Sequence, residues 1–367
     1  MSTQEITVAE LQKMFQDGKE VVVLDIRPQE QREEWQIASS VHKNVYNGLV
    51  NGDKTVFDDT AFDKDTPIVT VCAGGKTSLI AAEILNGKGY NASSLQGGMK
   101  AWNYAWNTAE IKDENVTIVQ VRRVAKGCIS YIIGSDNEAI IVDASLDPSV
   151  YLELAKKYGW TIKYVMDTHI HADYISRTIE LVKATEATQL FTEGADVEYP
   201  FTPFKDGQSI LFGESELKAI HTPGHTPESI SYLINEKYLL TGDTLFTNGV
   251  GRPDLKADQK QAVQKANQLF ASLEKIKALN GSTAVLPAHT SNAVAFDKEL
   301  ITDTVSNLFG KIELLKLSQA EFVEQTIKRI PATPPNYIQI ATLNRSGSYE
   351  GINPADLEAG ANRCAVS

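Results

Sequence analysis

The sequence predicts a two-domain protein, an α/β unit followed by an α+β unit, and three observations predict it. A chain of 367 residues exceeds what one hydrophobic core usually serves. The first hundred residues alternate short apolar runs with helix-like stretches, the signature of a small parallel sheet. At Val116 the rhythm changes to strand-like runs joined by Gly, Asp and Asn turns, as in hairpins. A polar, charged stretch separates the two patterns. The expected division is therefore residues 1–108, a linker at 109–115, and residues 116–367 with a tail at 331–367.

Each element follows from local pattern. Val21-Val22-Val23-Leu24-Asp25 and Pro67-Ile68-Val69-Thr70-Val71 read as buried strands, the second followed by a helix over 78–85. Gly97-Gly98-Met99-Lys100-Ala101-Trp102 reads as a turn entering a last helix. In the second domain, strands are expected at 117–121, 129–133, 139–142 and 160–166, with helices at 148–158 and 176–187. Further strands at 209–211, 216–220, 229–234 and 238–241 lead to a long helix over 259–279. Residues 284–286 form an apolar run, and 297–330 read as helical until Pro331. The tail reads as an irregular wrap.

Composition excludes several classes. A net charge of −12 argues against a nucleic-acid or anionic-membrane surface. The first residues show no basic stretch followed by an apolar one, and no apolar run approaches ~20 residues, so neither a signal peptide nor a spanning helix is expected. Cys72, Cys128 and Cys364 are far apart and odd in number, which fits a reducing cytoplasm better than a disulfide framework. The oligomeric state, homo-oligomer included, stays open.

The most informative run is Thr168-His169-Ile170-His171-Ala172-Asp173-Tyr174. Neutral imidazole and carboxylate are the usual ligands of first-row metals, and a loop at a strand end can aim several at one point. His221-Thr222-Pro223-Gly224-His225 and Pro287-Ala288-His289 add three histidines. Leu240-Thr241-Gly242-Asp243 adds a carboxylate before a turn. Five of the six histidines thus follow expected strands, an arrangement that points to a metal site.

In this order and spacing the motifs resemble the metallo-β-lactamase superfamily over about residues 116–331. The resemblance implies an αββα sandwich with metal at the sheet edges. Relatives of the glyoxalase II type hold two metals through a longer motif that ends in His, where this chain has Tyr174. The second metal would need Asp173, residue 174 and His289. The persulfide dioxygenases (sulfur dioxygenases) of the same superfamily imply one Fe(II) per chain on His169, His225 and Asp243. His171, Asp173, Tyr174 and His289 are then supporting residues or alternative ligands, and Zn²⁺ is the alternative metal. Gly249-Val250-Gly251-Arg252-Pro253-Asp254-Leu255 is similar to a segment of the persulfide dioxygenases. Arg252 is either a carboxylate anchor for substrate or one half of a structural pair with Asp254. The tail from Leu357 to Ala365 resembles the end of such enzymes and reads as structural, the alternative being that Arg363 or Cys364 borders the active-site mouth; Cys128 reads as a buried strand residue.

In the first domain Val71-Cys72-Ala73-Gly74-Gly75-Lys76-Thr77-Ser78 runs from strand to helix. Such a loop can curl backbone N–H groups onto the sulfur, favouring thiolate and an anion, although a lone cysteine there can also be inert. With Leu24-Asp25-Ile26-Arg27 and the later Gly-Gly turn, residues 6–108 resemble a rhodanese domain. Rhodaneses carry sulfane sulfur on this cysteine, with Gly74, Gly75 and Lys76 beside the substrate. Thr77 stands where that family usually has Arg.

Together the resemblances imply a cytoplasmic rhodanese–persulfide dioxygenase fusion. Its expected substrates are a low-molecular-weight thiol persulfide and O₂, and its expected products sulfite and thiol, with sulfur transfer through Cys72. The alternatives are a zinc thioesterase of the glyoxalase II type and a non-enzymatic sulfur sensor or scaffold.

Overall fold

Five short strands fall through the first hundred residues of the chain: β1 (Glu5–Ile6), β2 (Val22–Asp25), β3 (Val41–His42), β4 (Ile68–Val71) and β5 (Ala92–Leu95). They pair in parallel in the order β1-β5-β4-β2-β3. The protein is described by a computed structural model covering residues 4–254, 257–334, 336–360 and 362–366. Leu255 of the 249–255 motif, Pro335, Ala361 of the tail, and the two termini (1–3 and 367) lie outside the described residues. Helix starts are set by local chemistry. Thr7 and Glu10 form a capping box ahead of Val8–Gln16, leaving fewer orphan N–H groups in the first turn.

The second domain is built on two sheets. β6 (Trp106–Lys112), β7 (Thr117–Arg123), β8 (Ile129–Ser135), β9 (Glu138–Val142), β10 (Thr161–Met166), β11 (Thr188–Thr192) and β12 (Thr202–Phe204) form a seven-stranded sheet. β13 (Ser209–Phe212), β14 (Ser215–His221), β15 (Ile230–Ile234) and β16 (Tyr238–Gly242) begin a six-stranded sheet. After the short β17 (Val250–Gly251), β18 (Ala284–Pro287) and β19 (Asp303–Thr304) complete it, and β20 (Ala365–Val366) pairs with β17.

Packing makes these four layers. Ile118, Tyr131, Ile133 and Ile140 of one sheet meet Leu217, Tyr232, Ile234 and Leu286 of the other in a single buried cluster. The outer face of the seven-stranded sheet is covered by helices Pro148–Tyr158 and Thr178–Thr185 through Tyr151, Leu154 and Leu181. Helices Gln259–Lys277, Val305–Lys311 and Gln319–Lys328 cover the other sheet through Leu269, Leu308 and Phe322. Sheets buried on both faces explain why β8 and β15 are apolar-rich runs without polar alternation. This is the αββα sandwich.

Three expectations change. The stretch 109–115 is not simply a linker, because residues 109–112 continue β6 and pair with β7. Its polar residues alternate on an edge strand with one wetted face, a pattern easily mistaken for a loop. Residues 297–330 are not one helical run. They carry β19, two α-helices and a 3₁₀ turn. The tail is also more ordered than a wrap, with helices Tyr337–Ser346 and Pro354–Leu357 before β20.

The tail also joins the domains. Arg123 and Glu358, both fully buried, form an ion pair at 2.8 Å, and Tyr104 donates to the same carboxylate at 3.2 Å. Phe15 of the first domain stacks on Phe296 of the second at 5.0 Å, within a cluster that includes Trp102, Val124 and Val294. Removing one partner of a buried pair strands the other charge. Glu358→Ala is therefore expected to destabilise the protein by about 3–5 kcal/mol, read from denaturant unfolding. The exposed Lys100–Asp356 contact is expected to be worth under about 1 kcal/mol. Equal effects of Glu358→Ala and Lys100→Ala would contradict this ranking.

Candidate metal centre and thiol loop

The site lies beyond the carboxyl ends of strands from both sheets. β9 runs into Asp143, β10 into the 167–174 run, β14 into the 222–225 turn, β16 into Asp243, and β18 into His289. Parallel pairing of β9 with β10 and of β16 with β18 puts four of these strand ends on the same edge. Gly224, at φ +148°, lets the 222–225 turn pass under helix Gln259–Lys277. A Cβ there would stand 2.5 Å from Leu269 Cα, so only glycine fits.

His169, His225 and Asp243 converge, all buried. Asp243 Oδ2 is 3.5 Å from His225 Nε2 and 3.7 Å from His169 Nε2. None of these three atoms has a hydrogen-bond partner among the described residues. The opposite ring nitrogens are committed. His225 Nδ1 donates to the Arg252 carbonyl at 2.8 Å. Thr168 Oγ1 donates to Asp143 at 2.9 Å and is 2.9 Å from His169 Nδ1, so His169 must donate there. Both Nε2 lone pairs therefore face Asp243. Burial holds His169 well below, and His225 below, the ordinary imidazole pKa. Neutral imidazoles, an ionised carboxylate and unsatisfied buried lone pairs fit a metal ion.

The remaining polar residues lie against one another, with His289 Nε2 and Asp173 Oδ1 also buried without a hydrogen-bond partner among the described residues. His289 Nδ1 is 2.5 Å from Asp243 Oδ1, and its Nε2 is 3.0 Å from Asp173 Oδ2. Burial alone would lower its pKa, but Asp243 and Asp173 overcome this and hold it well above the usual value. Asp173 Oδ2 also accepts from Asn362 at 2.7 Å and from the Cys128 thiol at 3.2 Å. His171 Nε2 is 3.1 Å from Asp143 and 2.9 Å from the Tyr174 hydroxyl, while its Nδ1 has no hydrogen-bond partner among the described residues. Tyr174 stacks on His171 at 4.3 Å and donates to the Asp143 carbonyl. Burial and then Asp143 push its phenol well above the usual range. A neutral phenol bonded to His171 is a poor metal ligand.

Of the two readings of Arg252, the pair with Asp254 is the one present in the structure. Arg252 is fully buried, with Nε and Nη2 on Asp254 at 2.7 and 2.8 Å, Nη2 also facing Pro331 O and Thr333, and Nη1 donating to Arg363 O. It clamps the tail, and its own carbonyl orients His225.

Beside the centre is a groove of about 1050 Å³. Ile170, Ala172 and Thr226, which alternate with or adjoin the histidines, form its floor, and Gln264, Tyr337 and Arg345 its walls. Sequence reasoning missed Asp143, Cys128 and Asn362 as members of this neighbourhood. Asp143, at φ +58° directly after β9, had a signal: an acidic residue ending an apolar strand.

In the first domain, Cys72 Sγ is buried and accepts from Gly75 N at 3.1 Å and Ser78 N at 3.4 Å, with the Ser78 hydroxyl at 3.3 Å. Gly98 (φ +57°) lets the following turn close over the loop, since a Cβ there would lie 2.3 Å from Cys72 O. Gly74 and Lys76 are exposed at the start of helix Lys76–Gly87, and Thr77 is buried.

Residues 125–289 match the metallo-beta-lactamase superfamily and residues 7–105 the rhodanese-like domain. The chain is 29% identical over 225 residues to the mitochondrial persulfide dioxygenase ETHE1 of Bos taurus, covering 59% of this chain and 82% of that one. It is 33% identical over 181 residues to the hydroxyacylglutathione hydrolase of Brucella ovis, covering 45% and 67%. Among solved structures, a metallo-beta-lactamase of Staphylococcus aureus aligns with a TM-score of 0.59 and 28% identity, covering 65% of this chain and 76% of that one.

His171 gives this site a pH signature. Burial opposes its charge, but Asp143 and Asp167 raise its pKa from 6.5 to about 10. A folded pKa above the unfolded one stabilises fully below about 6.5, and that stabilisation is lost as pH rises toward 10. His289 adds to the same fall. Protein stripped of metal by chelator should lose unfolding free energy between these limits, and His171→Gln should flatten the loss. Stability that rises over this range would contradict the arrangement.

Proposed function

The chain belongs to the metallo-β-lactamase superfamily and carries a rhodanese-like domain ahead of that fold; from this premise we propose that it oxidises a low-molecular-weight thiol persulfide with O₂. The balance is RSSH + O₂ + H₂O giving RSH, sulfite and two protons. The observation that carries the proposal is the convergence of unpartnered ligand atoms from two imidazoles and one carboxylate, on His169, His225 and Asp243. Two imidazoles and one carboxylate are the ligand set of non-heme Fe(II) oxygenases. Iron held there supplies sites for O₂ and sulfur together with the redox capacity that zinc lacks.

The chain's own residues do the rest. Thr168 and the Arg252 carbonyl fix the two imidazoles in the tautomer that presents Nε2. His289 and Asp173 are joined to each other and to Asp243, Cys128 and Asn362, and Tyr174 is bonded to His171. Of these contacts, the bond of Tyr174 to His171 favours one metal over two. Ala172, Phe246 and Tyr337 form an apolar wall that limits water, and the groove accommodates the body of the thiol. In the other domain, the N–H groups on Cys72 favour thiolate and a bound sulfane sulfur. A persulfide sulfur is the shared currency of the two domains.

A second reading is a zinc thioesterase, which the similarity to a hydroxyacylglutathione hydrolase favours. Oxygen consumption separates the two. Protein reconstituted with Fe(II) without oxygen should take up O₂ when given glutathione persulfide and release sulfite and glutathione. No uptake with this or other thiol persulfides, together with zinc-dependent hydrolysis of S-acyl glutathione, would establish the rival.

The Thr168 contact gives a graded test of the ligand assignment. Thr168→Val keeps the shape but removes the acceptor for His169 Nδ1, and is expected to weaken Fe(II) binding by about 10–100-fold. Metal titration checks this, and wild-type affinity in the variant would contradict it.

A further inference from the structure

The tail brings a third cysteine into the centre. Pairing of Val250 with Val366 and Gly251 with Ala365, and a bond from Arg252 N to the Cys364 carbonyl at 2.9 Å, fix the backbone at Cys364 beside the segment that follows Asp243. Cys364 Sγ, an oxygen of Asp243 and a nitrogen of His289 all lie within 4.8 Å of one another, and all three residues are buried. On one side Cys364 packs against Ala172, Phe246, Tyr337 and Ala341. Ala172, Tyr337 and Ala341 also line the groove, so the thiol lies behind that wall. A buried thiol is by default a small apolar filler. Two observations set this one apart. It faces a carboxylate and an imidazole, and Asp243 Oδ2 and His289 Nε2 of those same two residues are buried without partners among the described residues.

We propose that Cys364 is a sulfane-sulfur acceptor within the metal pocket, loaded by a thiol persulfide from the groove. The proposal rests on the persulfide reading of the site. The sulfur of Cys364 attacks the outer sulfur of R–S–SH. A new S–S bond forms to Cys364, the old S–S bond breaks, and the leaving thiolate takes the thiol proton. The products are Cys364–S–SH and R–SH, so no oxidant or reductant is consumed. The carried sulfur then sits one S–S bond, ~2.05 Å, beyond Sγ and beside Asp243. The thiol body can leave while the sulfur stays.

Peptide mapping on the intact wild-type protein tests this. The protein is treated with glutathione persulfide without oxygen, alkylated, digested, and each cysteine peptide examined by mass spectrometry for an added sulfur. The expected result is added sulfur on Cys364, with Cys128 unmodified. Cys364→Ser and Cys364→Ala, with normal metal content, should slow sulfite formation at least about tenfold. Sulfur on Cys72 alone, or wild-type turnover by both variants, would overturn the proposal. If Cys364 loads but no O₂ is consumed, the dioxygenase reading fails and the acceptor stands. If O₂ is consumed with Cys364 unmodified, the acceptor fails and the dioxygenase stands.

Discussion

The centre depends on one constraint: Asp243 is a carboxylate fully buried at the junction of two sheets. An ionised carboxylate is costly to bury unless its oxygens find cationic or donating partners. Its Oδ1 meets His289, and its Oδ2 faces His169 and His225. Burial opposes its ionisation, but His289 and His169 together hold its pKa well below the ordinary carboxylate value. Much of the local architecture keeps these groups in register. The Arg252 clamp holds the tail and orients His225, and Thr168 relays Asp143 to His169.

Legibility followed sequence distance. The strands β8, β9, β15 and β16 could be read because both faces are buried and the apolar signal is dense. The helix Pro148–Tyr158 was framed by Asp147, Pro148 and Gly159, which act as cap, first-turn proline and left-handed stop. The edge strand β6 and two-residue strands such as β3 and β20 were hidden, because their stability comes from neighbours far away in the chain. The proposed metal ligands were legible from residue type and strand-end position. For Arg252 the sequence offered both a substrate anchor and a pair with Asp254, because burial and the contacts with Thr333 and Arg363 are set far away in the chain. Cys128 and Asn362 were hidden for the same reason, and only the folded tail brings Asn362 and Cys364 to the centre.

The tail gives the two domains a common element. Glu358 pairs with Arg123, accepts from Ile175 N and contacts Tyr104 near the end of the first domain. A few residues later, Asn362 bonds Asp173 and Cys364 faces Asp243. The same short segment thus holds the domains together and closes the metal pocket. A buried ion pair of this kind is poor evidence of net stability, yet it specifies geometry, because either charge alone is penalised. Among the described residues no helix is long and apolar enough to cross a membrane.

The central claim is one metal on two imidazoles and one carboxylate, with iron as the metal. Elemental analysis of protein purified without oxygen tests it most directly. The account expects about one iron per chain, lost in Asp243→Ala. About two zinc ions per chain, surviving a His169→Ala substitution, would contradict it.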